Sequence, residues 1–119
     1  MIRYAATAFA AFTALLHSLV GTYDTLLPLL EADLDPALRG TFHACWHFIS
    51  LFLLFSAYAF WRRRASTRDL AALWIGFAVV FFGVGLWQGG LSGLMVVPQW
   101  ILLAPAGVLA WLSARGAAR

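Results

Sequence analysis

The side chains with chemistry to offer in this sequence are three histidines. Two of them, His43 and His47, stand one helical turn apart in FHACWHF (residues 42–48), inside a segment that otherwise reads as hydrocarbon-buried helix. The i, i+4 spacing puts both imidazoles on one face. The third, His17, lies in YAATAFAAFTALLHSLVGT (4–22), a second apolar run. Neutral imidazole is the commonest metal ligand and suits Zn or Cu. Two ligands from one helix and a third from its neighbour make a three-histidine site (His17, His43, His47) with an open fourth position, the catalytic rather than the structural pattern for zinc. Haem b is a second cofactor reading and the less favoured one. It needs two axial histidines on facing helices, such as His17 with His43 or His47, and leaves the third without a task. The plainer alternative is interhelical hydrogen-bond glue. Such bonds average below about 1 kcal/mol in membranes, so three for glue alone is generous.

The neighbours of the histidines sharpen both readings. Thr13, His17, Gly21 and Asp24 recur at spacings of four, four and three, which is a single helical stripe. Arg39, His43, His47 and Ser50 form another. If Asp24 and Arg39 mark the outer interface, His17 lies roughly 10 Å inside it, His43 roughly 6 Å and His47 roughly 12 Å at the helical rise. Facing stripes would bring all three into one layer of the outer half-bilayer. Asp24 is expected to accept a hydrogen bond from His17 and orient its ring, with Ser50 and Trp46 supporting the ligands from α-helical positions beside them. Gln88, Gln99 and Met95 are expected to close the layer from the other helices, and Gly83 and Gly85 to permit close approach or leave room for a bulky group. Cys45 is two residues from each histidine, about 200° round the helix, and reads as packing.

The elements that must carry these residues follow from composition. The chain has 119 residues, of which 63% are hydrophobic and 11% charged. Soluble domains carry about 25% charged residues, and small ones bury only about 60–70% of their surface. Lipid is therefore part of the solvent. The formal charge of +3 is no sign of nucleic-acid binding, because the arginines have a topological role. Every basic residue is Arg, and Lys and Asn are absent, which suits a GC-rich bacterial genome. The lone cysteine excludes an intrachain disulfide.

Four segments reach the length of a span: about 4–22, 37–61, 70–87 and 94–112. They predict a single all-α domain over 1–119, a four-helix transmembrane bundle running up-down-up-down. Asp35 and Pro36 read as N-cap and first turn of the second span, Ser66-x-x-Asp69 as a capping box opening the third, and GGLSG (89–93) as the turn into the fourth. With four spans, Arg3, Arg62, Arg63, Arg64, Arg68, Arg115 and Arg119 share one side, opposite Asp24, Glu31, Asp33 and Asp35. The positive-inside rule then places both termini in the cytoplasm of a bacterial inner membrane. Arg62, Arg63, Arg64 and Arg68 anchor that face on anionic headgroups. Tyr4, Tyr58, Trp61, Trp74 and Trp111 form the aromatic belt on the same side, and Tyr23, Trp87 and Trp100 the outer belt.

The runs HSLVGTYDTLLPLL and RGTFHACWHFISLFLL resemble those of small, uncharacterised four-span bacterial membrane proteins. The resemblance implies the same fold and carries no activity with it. Two functional readings stand. One is a membrane protein binding a transition metal or haem at the histidine layer. The other is a non-enzymatic accessory or self-associating bundle, a homo-oligomer or part of a larger membrane complex, in which the histidines are glue. A lipid hydrolase ranks below both, since no general acid or base stands beside the histidines except Asp24. A transporter also ranks below, because one small bundle offers no pathway.

Overall fold

Long apolar runs leave the backbone one way to satisfy its polar groups away from water, which is the helix. The structure, a computed structural model describing residues 1–62 and 64–115, is helical through α1 (Ile2–Ser18), a π-helical turn (Thr22–Leu26), α2 (Leu27–Glu31), α3 (Pro36–Arg62), α4 (Thr67–Val96) and α5 (Trp100–Arg115). Among the described residues, three helical stretches are long and apolar enough to cross a membrane: Ile2–Glu31, Pro36–Arg62 and Thr67–Val96. Arg63 and Arg119, two of the arginines in the topological pattern, lie outside the described residues.

The first helical stretch runs further than its expected end near Thr22. It passes through the π turn, in which the Leu27 N–H donates to the Thr22 carbonyl five residues back. Pro28 accounts for this. It has no N–H for the Asp24 carbonyl, and its ring crowds that carbonyl; one wider turn relieves the clash without ending the helix. The stretch stops at Ala32, whose ψ of 150° is extended.

The opening of α3 is as the sequence predicts. The Asp35 carboxylate accepts the N–H groups of Ala37 at 2.9 Å and Leu38 at 3.4 Å. The capping box expected at Ser66 does not form, since Ser66 makes no side-chain cap bond. Thr67 instead donates its hydroxyl to the Ala59 carbonyl at 3.3 Å, tying the start of α4 to the end of α3.

The helical hydrogen-bond pattern labelled α4 contains a reversal at Gly89 and Gly90, where φ is 58° at Gly90. This is the expected GGLSG turn. Leu91–Val96 then fold back, with Gly93 against Gly85: a Cβ added to Gly85 would lie 3.1 Å from the Gly93 carbonyl oxygen. Gly85 therefore serves the chain reversal and leaves no space for a bulky group. The expected fourth span is interrupted at Val97, which leaves helical geometry (φ −122°, ψ 71°), before α5 begins. At 16 residues α5 rises only about 24 Å, short of a roughly 30 Å hydrocarbon core.

Small residues at helical spacing set the packing: Ala6, Ala10 and Ala14 on α1, Ala71 and Ala78 on α4, Ala106 and Ala110 on α5, all buried. α1 lies against α3 and α5, and α5 against α4. At Gly107 the approach is close, since an added Cβ would meet Ile75 Cγ1 at 2.8 Å and the Ala71 carbonyl oxygen at 3.1 Å. α3 and α4 are bridged by aromatic rings, Phe52 standing 6.3 Å from Trp74 and 5.3 Å from Phe77. Trp74 is fully buried here, so it belongs to the core and not to an aromatic belt. The outer surface is apolar, with Phe48, Leu51, Val79 and Leu91 all exposed.

Candidate functional site

Trp46 is the contact that brings the first helical stretch against α3 at the level of the histidines. His17, in the last turn of α1, and Gly21, just ahead of the π-helical turn, stand four residues apart, and the Trp46 indole lies across them. His17 stacks on that indole with centroids 4.0 Å apart and planes inclined by 21°. Gly21 makes room for it, since an added Cβ would stand 3.0 Å from two indole carbons. The Trp46 carbonyl completes the unit. His17 Nε2 is 3.2 Å from it, at donor distance for the Nε2–H tautomer, and Ser50 donates to the same oxygen at 3.1 Å. His17 is half-buried in this arrangement, a side chain that joins α1 to α3.

His43 and His47 are elsewhere. Both are exposed, and their rings stand 4.9 Å apart, tilted by 44°. The inward face of α3 carries Trp46, Ser50, Leu53, Ala57 and Phe60. At about 100° per residue, His43 is about 60° and His47 about 100° round from Trp46, on the shoulder of the helix. The three histidines lie at one level along the helices, because His17 reaches α3 at Trp46, between the other two. The predicted common direction is not observed. Among the described residues, no group of three or more His, Cys, Asp or Glu side chains is placed to hold a metal ion.

The supporting residues are likewise redistributed. Asp24 sits on the π turn, exposed, and accepts a hydrogen bond from the Thr25 hydroxyl at 2.7 Å; it does not orient His17. Trp46 does reach His17, through both its indole and its carbonyl, whereas Ser50 only shares that carbonyl as a second donor. Arg39 turns to the connection before α3, donating from one terminal nitrogen to the carbonyls of Ala32 and Leu34, both at 3.2 Å. Gln88, Met95 and Gln99 are exposed and close no layer. Cys45 is free and exposed.

Sequence reasoning missed the face that the pair shares. Gly40, Ala44 and Leu51 are exposed on the same side of α3 as His43 and His47, and nothing stands within 4 Å of a Cβ added at Gly40. The Gly40-x-x-x-Ala44 spacing was there to be read, since small residues four apart mark surfaces for close helix approach. Comparison with protein-family models, with curated proteins and with solved structures returns no match to this chain.

Proposed function

We propose that this chain is a non-enzymatic four-span bundle of a bacterial inner membrane, both termini cytoplasmic, that works by associating with a second copy through the outer half of α3. The observation that carries the reading is the exposure of His43 and His47 on an otherwise apolar surface. Imidazoles facing lipid are costly, and a partner surface relieves that cost. Gly40 and Ala44 flank the pair and let a second helix approach closely, which suits hydrogen bonds between imidazoles of two copies. A twofold pairing places the same patch on both sides, as a homodimer requires.

A second reading rests on the 4.9 Å approach of the two rings. Two imidazoles one turn apart supply two ligands, and His17 is engaged with Trp46. A transition metal such as Zn or Cu would then take its four ligands from two copies, at about one ion per two chains. Haem would instead draw one histidine from each copy.

Oxidative cross-linking in native membranes tests association. In a Cys45→Ser background, Ala44→Cys is expected to give a disulfide-linked dimer, whereas Val79→Cys on the exposed face of α4 is not. Adding His43→Leu and His47→Leu should weaken capture at position 44 several-fold. Equal capture at both positions, or none at 44, would falsify the reading. Elemental analysis and an absorbance spectrum of chelator-free protein separate the variants: metal lost in the double histidine variant marks a bridged dimer, a Soret band marks haem, and neither leaves the hydrogen-bonded dimer.

A further inference from the structure

A lateral groove runs between α4 and α5, on a different part of the surface from the histidine pair. One stretch, of about 310 Å³, is lined by Ala72, Ile75, Val108, Trp111 and Leu112. The next, of about 210 Å³, shares Ile75 and continues past Val79 and Ala104. The groove follows the seam of α4 and α5, which Gly107 holds close to Ile75 and Ala71. From Ala72 to Phe82, which lines its far end, the rise is about 15 Å, close to half a hydrocarbon core of about 30 Å. The groove is thus as long as one leaflet is deep, and almost wholly apolar.

Its near end is not apolar. Arg68, Ala72, Ile75 and Val79 recur at four, three and four on α4, so Arg68 continues the groove's wall by one turn. Ala104, Val108, Trp111 and Arg115 recur at four, three and four on α5, so Arg115 does the same from the other side. Both guanidinium groups pack on one ring: the Arg68 Cζ is 4.8 Å and the Arg115 Cζ 5.6 Å from the Trp111 centroid. Trp111 itself lines the groove. It holds two cations of different helices at the mouth, as stacked guanidiniums are held by an indole face. Asp69 is next to Arg68 but about 100° round α4, off this wall.

We infer that this groove is a binding site for an anionic phospholipid, with an acyl chain along α4 and α5 and the headgroup phosphate between Arg68 and Arg115. A guanidinium fork matches phosphate geometry, and two of them above a leaflet-deep apolar furrow match the charge and the shape of one molecule. The inference requires the bilayer location proposed above and is independent of the α3 dimer.

Native mass spectrometry of the full chain released from nanodiscs tests it, with phosphatidylglycerol and phosphatidylcholine as the probes. The wild type is expected to retain phosphatidylglycerol roughly 30-fold over phosphatidylcholine, from two arginines near an anionic headgroup. The Arg68→Gln, Arg115→Gln variant should lose that preference with unchanged helicity, since both side chains lie at the surface. Val108→Trp, which fills the groove from its exposed side, should lower retention of both lipids. Equal retention of the two lipids by the wild type, or a preference untouched in the double arginine variant, overturns the site alone. Failure to enter bilayers of either lipid overturns the membrane reading along with it.

Discussion

At the scale of single residues, His17 and the pair on α3 show how one side-chain type takes different work from its surroundings. His17 has a ring to stack on and a carbonyl within 3.2 Å, so its polar edge and apolar face are both used. His43 and His47 have each other and the surface. The hydrogen bond of His17 is of the kind that contributes about 0.6 kcal/mol in membranes, whereas the Trp46 indole covers both His17 and Gly21. His17→Leu is therefore expected to lower bundle stability by less than about 1 kcal/mol, and Trp46→Ala by about 2 kcal/mol or more. Unfolding by steric trapping in bicelles checks this. If His17→Leu is the more damaging change, His17 does more than join two helices. The hydroxyls follow a simpler rule: Thr13, Ser50 and Ser56 each donate to the carbonyl four residues back, which satisfies them without a ligand.

At the scale of elements, the reversal between α4 and its continuation depends on backbone meeting backbone. Gly93 has the Gly85 carbonyl where a Cβ would go, whereas a Cβ on Gly83 meets nothing within 4 Å. Gly93→Ala is expected to displace the returning segment and lower stability by several kcal/mol, in line with overpacking of a tight contact. Gly83→Ala should be neutral or stabilising by up to about 1 kcal/mol, since Ala is the better helix former. Thermal unfolding of the two variants in one detergent makes the comparison, and similar losses would mean that the hairpin is looser than this contact implies. The π turn is also an element-level event. Pro28 alters the ladder ahead of it, and the helix continues because one wider turn disturbs less than a break in an apolar environment.

At the scale of the whole molecule, the distribution of arginine links the fold to its proposed orientation. Arg68 and Arg115 come from different helices and both pack on Trp111, while Arg64, in the α3–α4 connection, donates to the Tyr58 hydroxyl of α3 at 3.1 Å. In the proposed orientation this basic end faces the cytoplasm, in keeping with the positive-inside rule. A fluorescent reporter that folds only in the cytoplasm is expected to be bright when fused after Arg119 and dark when inserted between Asp33 and Leu34. The reverse pattern would invert the bundle, and brightness at both sites would change the number of crossings.

Much of this protein was legible in its sequence, for a local reason. Helix existence, the Asp35 cap, the Gly89–Gly90 turn and the level at which His17 meets α3 all depend on neighbouring residues and on a rise of about 1.5 Å per residue. The helix through Pro28 was not legible, because a proline can either end a helix or be absorbed by one wider turn, and the sequence does not decide between them. Direction round the helix axis was not legible. Which shoulder of α3 turns inward is settled by what packs on it, and here the Trp46 indole fits against Gly21 while Leu53 and Phe60 fill the space beside Trp74. That choice carries His43 and His47 outward by roughly a sixth to a quarter of a turn, enough to part them from His17. The convergence of Arg68 and Arg115, 47 positions apart in the chain, on Trp111 is of the same kind: spacing put each at the end of its own stripe, and only the packing of α5 on α4 brought the two stripes together.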